Sequence, residues 1–176
     1  LGPHQKYSPL VCEGPAERAL VTADDDVLYW HDWLHTLVSA AARRPAFIHA
    51  HRAHVMSFAP DGGFAPYAQW PACRSTAPSP LHFSTGVGGV LFPSAMQNAL
   101  RRAGDGFREC CVRADDVWLN AVAWRSGIAV CQTANFSPLL FEVPGTRAHG
   151  LARENVQSGG NDRQLAATYS AEERSR

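Results

Sequence analysis

The chain has no surplus of charge. Lys plus Arg (16) balance Asp plus Glu (16) over 176 residues, so no global field draws it to nucleic acid and any charged partner must be met locally. It also lacks an apolar run near the roughly 20 residues that cross a bilayer, and its start has no basic stretch followed by an apolar one, so neither a spanning helix nor a secretory leader is expected. The five cysteines (Cys12, Cys73, Cys110, Cys111 and Cys131) are odd in number and include no C-x-x-C pair. An adjacent pair such as Cys110-Cys111 bridges poorly to itself, so reduced thiols in a cytoplasmic protein are expected. Internal repeats are missing. So are the G-x-G-x-x-G fingerprint and the P-loop lysine, which excludes dinucleotide and Walker-type sites. The opening, LGPHQKYSPL, has no initiator Met and reads as the interior of a longer chain.

What is present suits one globular domain, 45% hydrophobic and 18% charged, able to bury roughly two-thirds of its unfolded surface. A strand is predicted over residues 19–22, and it stops at Asp24-Asp25-Asp26. Three adjacent carboxylates repel and raise one another's pKa, and a divalent cation is the simplest counter-charge. From Asp32, a plausible N-cap, apolar residues recur at three and four positions and predict a helix over 32–43, ended by Pro45. Residues 46–58 read as a strand, and 59–80, dense in Pro, Gly and Ser, as a long loop of the functional kind. Residues 83–93 form an apolar segment interrupted by glycines. A helix capped by Ser94 runs to about Ala103. Asp115 and Asp116 precede a helix beginning at 117 and closed by Gly127, followed by a strand over 128–133. A polar tail from about residue 154 ends in a solvated helix. Alternating strands and helices define an α/β fold.

Some residues carry chemistry on their own account. Gly86, Gly88 and Gly89 let a backbone approach a ligand closely, or else mark a bent strand. Thr85 offers a hydroxyl to a ligand, and Lys6 a cation to an anionic one. His49 and His51 share one strand face while His54 takes the other, so the three do not converge on zinc. Arg52 and His54 are read as packing or as a polar contact.

In order, "TADDDVLYWHDWL" (22–34), "HRAH" (51–54), "FSTGVGGVLFP" (83–93), "ADDVWL" (114–119) and "NDRQL" (161–165) resemble a bacterial GT-A glycosyltransferase close to family 2. The resemblance implies a partial GT-A fold, a mixed and mostly parallel sheet flanked by helices. The N-terminal nucleotide-binding portion is largely lacking, because only about twenty residues precede Asp24. It also implies Mn²⁺ or Mg²⁺ held by Asp26 and Asp24, with His149 as a late ligand. Asp24 would contact the ribose or a metal-bound water, and Asp25 would hold the turn at the donor site. By the same resemblance the ligand of Thr85 would be a sugar and that of Lys6 a diphosphate, and Arg52 and His54 would lie beside an acceptor cleft. Asp116 would be the base of an inverting reaction beside Asp115, although both residues also suit a helix N-terminus. The partners implied are a nucleotide-sugar donor and a saccharide or lipid-linked acceptor. The setting would be surface polysaccharide or glycolipid synthesis in the cytoplasm, peripheral to the inner face of the membrane. A second copy or a partner chain would cover the open sheet edge. Two other readings remain: a metal-dependent phosphohydrolase or nucleotidyl-transfer enzyme, and a non-catalytic remnant acting as a binding module.

Overall fold

The apolar triplet Leu20–Thr22 forms strand β1 and ends where the aspartates begin. In the computed structural model, which describes residues 1–13, 17–145, 155–156 and 158–174, β1 pairs with β6 (Val90–Phe92), β6 with β3 (Ile48–Ala50), and β3 with β7 (Val130–Gln132). The ladders β1/β6 and β6/β3 are antiparallel and only β3/β7 is parallel, which corrects the expectation of a mostly parallel sheet. The cause lies in the connection. The chain enters β6 from β5 (His82–Ser84) through a short glycine turn, with no crossover helix, so β6 runs back against both neighbours.

Side chains alternate across this sheet as the two-residue period requires. Ile48, Ala50, Val90, Phe92 and Val130 point into the main core together with Met96, Val117 and Tyr169. On the other face His49 bonds to the Arg44 carbonyl at 2.9 Å, at the end of α2 (Trp33–Arg43). Asp32 does precede that helix, but its carbonyl rather than its carboxylate bonds the first turn, accepting from Thr36 N–H at 2.9 Å.

Two further expectations are corrected and a third is narrowed. The strand read over 46–58 is two strands, β3 and β4 (Ala53–Val55), separated by a bend at His51 and Arg52; β4 leaves the sheet to pair with β5. The Gln132 side chain fills the break. It accepts from Ala53 N–H at 2.9 Å and donates to the Cys73 and Ala134 carbonyls. Helix α3 (Ser94–Ala103) has the predicted bounds but starts from the Pro93 carbonyl, with no capping bond from Ser94. The polar tail does end in a solvated helix, α7 (Ala171–Arg174), which has no buried residue, but α6 (Gly160–Thr168) before it docks Leu165, with Tyr169 just beyond, against the core.

Helix α5 (Asp115–Arg125) is surrounded on almost every side, with Val117 to Ala123 all buried. Its first turn contains both aspartates, which therefore lie inside the helix and not ahead of it. It closes as predicted. Gly127, at φ +67°, donates to the Trp124 carbonyl and Ile128 to that of Ala123, a Schellman arrangement. The remaining elements surround this frame. They are α1 (Ser8–Cys12), α4 (Phe107–Cys110), and the pair β2 (Val27–Leu28) with β8 (Phe141–Glu142).

Gly89 is required by geometry as well as space: its φ is +96°, and an added Cβ would stand 2.9 Å from Trp33 Cζ3. Gly62 has φ +83° but open surroundings. Urea unfolding is expected to show Gly89→Ala losing about 2–4 kcal/mol, and Gly62→Ala, which carries the backbone strain without the clash, about 1 kcal/mol.

Candidate functional site

Beyond Thr22 the chain turns, and the Asp24 N–H donates to the Tyr29 hydroxyl oxygen at 2.7 Å, which fixes the start of the triplet. Asp24 Oδ1 receives Lys6 Nζ at 2.7 Å, and the same ammonium lies 3.0 Å from Asp115 Oδ2. The contact with Asp115 is an ion pair without an aligned hydrogen bond. Asp116 Oδ1 accepts the Gly86 N–H at 2.8 Å. A Cβ at residue 86 would lie 2.8 Å from Lys6 Nζ, 3.1 Å from Asp116 Oδ1 and 3.8 Å from Asp24 Oδ1. Glycine is thus the residue that lets the strand-end acid, the helix acid and the lysine meet at one point.

The lysine is held in place from behind. His4, fully buried, stacks on Phe107 at 3.9 Å, accepts from the Tyr7 hydroxyl at 2.8 Å and donates to the Cys111 carbonyl at 2.7 Å. One donor and one acceptor role require a neutral ring, and burial lowers the His4 pKa in that direction. The turn Gly2–Lys6 is thereby pinned beside the start of α5.

Burial is the largest influence on Asp116, followed by the charge of Asp115; with Asp24 they outweigh Lys6 and the Gly86 N–H, and the carboxyl is pushed up to about 7. For Lys6, burial acts to lower the pKa, but Asp115, Asp116 and Asp24 together hold the ammonium above its ordinary range. The Tyr67 hydroxyl is also raised, by burial first and then by Asp116, with Arg52 opposing.

The other predicted site residues divide. Asp25 is exposed, and Asp26 is half-buried with its carbonyl taken by Val143 N–H at 2.8 Å and its carboxylate without a partner among the described residues. Thr85 is buried, with its hydroxyl 3.4 Å from the Arg52 carbonyl and therefore turned away from open space. Gly88 and Gly89 pack under Leu140 and Trp33. His149 lies outside the described residues. His51 is used structurally, bonding Trp33 O at 2.9 Å and Thr133 Oγ1 at 2.8 Å. Sequence reasoning missed Asn120, whose side chain bonds Ser84 N–H at 2.9 Å, Ser84 O at 2.8 Å and Asp116 O at 2.8 Å, tying the end of β5 to α5. An Asn one turn after Asp116 in an otherwise apolar helix was the available signal.

Among the described residues no three or more His, Cys, Asp or Glu gather as a ready-made metal cage. Mg²⁺ does not need one, since one or two carboxylates with phosphate and water suffice. The unpartnered Asp26 carboxylate fits such an ion, whereas Asp24 fits it only in competition with Lys6. Comparison with protein-family models, curated proteins and solved structures finds no match to this chain.

The raised Asp116 pKa sets a pH dependence. A carboxyl with a folded pKa of about 7 stabilises in its neutral form; that contribution is complete below its ordinary value of 3.8 and is lost as pH rises through 7. Asp116→Asn is therefore expected to exceed the wild type in stability at pH 8, by on the order of 3 kcal/mol, and to match it near pH 4, as read by urea unfolding at the two pH values.

Proposed function

We propose that this chain carries the reaction centre of a metal-dependent inverting glycosyltransferase, which moves a sugar from a nucleotide-diphosphate donor to a hydroxyl acceptor. The observation that supports it most is the meeting of Asp116, Gly86 and Asp24 around one ammonium at the end of β1. The five-motif resemblance points the same way.

The acceptor hydroxyl is a poor nucleophile at neutral pH. Asp116 Oδ1 is fixed by the Gly86 amide, which leaves Oδ2 to take the proton as oxygen bonds to the anomeric carbon from the face opposite the leaving diphosphate. A base with a pKa of about 7 suits that step, being ionised in a useful fraction while still strong. Lys6 has three N–H donors and gives one aligned hydrogen bond, to Asp24, so the ammonium retains donors for a phosphate oxygen of the donor. When bound, Mn²⁺ or Mg²⁺ supplies positive charge to the departing diphosphate, with Asp26 and then Asp24 as its protein ligands. A cytoplasmic setting in polysaccharide or glycolipid synthesis rests on the resemblance alone.

Titration of UDP and of GDP in the presence of Mn²⁺, followed calorimetrically, is expected to show metal-dependent binding that Asp26→Ala abolishes. Failure of both nucleotides to bind at millimolar concentration would remove this reading, and rapid release of phosphate from simple phosphoesters would favour a hydrolase. Asp116→Asn is expected to retain donor binding while transfer falls by about 10²–10⁴-fold. The wild-type rate should rise with pH and level off above about 7.

A further inference from the structure

Arg52 is half-buried, and its guanidinium meets a histidine and a threonine rather than a carboxylate. Among the described residues no Asp or Glu forms an ion pair with it. Its Nη2 donates to His54 Nε2 at 3.1 Å and its Nη1 reaches Thr85 Oγ1 at 3.5 Å. Burial, and then Arg52 itself, lowers the His54 pKa, so His54 is a neutral acceptor that orients the guanidinium without neutralising it. The rings of His54 and Tyr67 meet edge to face at 5.6 Å and hold that side of the bend.

Arg52 is connected to the base by a short path. Thr85 donates its N–H to the Arg52 carbonyl at 3.1 Å, and the next residue, Gly86, donates to Asp116. Arg52 also follows β3, two strand positions from β1, or roughly 10 Å at the usual strand spacing. The backbone that carries the cation is thus linked to the base through Thr85 and Gly86 and is offset from the strand that leads to the triplet. A half-buried cation without a counter-charge is costly, and a guanidinium presents a planar fork that matches carboxylate and phosphate oxygens.

Resting on the glycosyltransferase reading, we propose that Arg52 determines acceptor specificity: it receives an oxyanion, a carboxylate or phosphate, carried by the acceptor sugar while a hydroxyl of that sugar faces Asp116. The substrate class is then an acidic saccharide. A neutral sugar would leave the guanidinium without its partner.

The test is a titration of ¹⁵N-labelled protein with glucuronate, glucose 6-phosphate, glucose and inorganic diphosphate, following the amides of Thr85 and Gly86. Glucuronate or glucose 6-phosphate should shift both amides where glucose at equal concentration does not, and the one that binds identifies the oxyanion. Arg52→Met should weaken that binding by about tenfold to a hundredfold, as loss of a charge-assisted fork predicts. Arg52→Lys, which keeps the charge, should lose less and is decisive if Arg52→Met does not fold. The proposal is overturned if glucose binds as tightly, if neither acidic sugar binds at tens of millimolar, if both variants bind as the wild type does, or if diphosphate alone depends on Arg52. Metal-dependent UDP binding and its loss in Asp26→Ala are read separately. Oxyanion binding through Arg52 without nucleotide binding would leave the acidic-sugar site standing and remove the transferase.

Discussion

One ammonium, that of Lys6, makes the centre of this molecule possible. Asp24, Asp115 and Asp116 approach from a strand end and a helix start, and like charges at such distances destabilise one another unless a cation lies among them. The cation is placed by an apolar device. His4 stacked on Phe107 and bonded to Tyr7 and Cys111 anchors the turn that carries Lys6. Core packing and site electrostatics are thereby one problem, and loss of the His4 contacts would be felt at the carboxylates. The same ammonium restricts how a divalent ion could enter, because Asp24 must share its oxygen.

A good part of this was legible in the sequence. Strand β1 ends at the triplet, α2 and α3 keep their predicted bounds, and Gly127 closes α5, because each depends on local signals: an apolar run, a 3.6-residue period, a residue suited to positive φ. What was not legible depends on contacts distant in the chain. Residues 46–58 divide because the Gln132 side chain, 79 residues beyond Ala53, supplies the partner that a continuous ladder would have had. The tail helix looks solvated until Leu165 and Tyr169 meet α5 and the main core. The site was legible in its acids and its glycine. Lys6 was read as a cation for a diphosphate, but its pairing with the aspartates themselves was not legible, since nothing local in "GPHQKY" links it to carboxylates distant in the chain.

Two buried side-chain amides give the site definition, although Asp115 Oδ2 and His54 Nδ1 make no hydrogen bond among the described residues. Asn120 ties Ser84 to the α5 backbone, and Gln132 ties β3, β4 and the segment after β7 together. Arg52 differs in kind, a charged group oriented by His54 and Thr85 yet left without a counter-ion among the described residues.

Helix α5 has no wet face on which to slide, and it is locked at its far end by the Gly127 turn. Asp115 and Asp116 therefore belong to a fixed jaw whose position is established when the chain folds. The opposite jaw is lighter: the triplet is braced by Tyr29, by Lys6 and by the two-residue pairing of β2 with β8. Any displacement at the site falls more readily to that side, while Asp115 and Asp116 stay where folding put them.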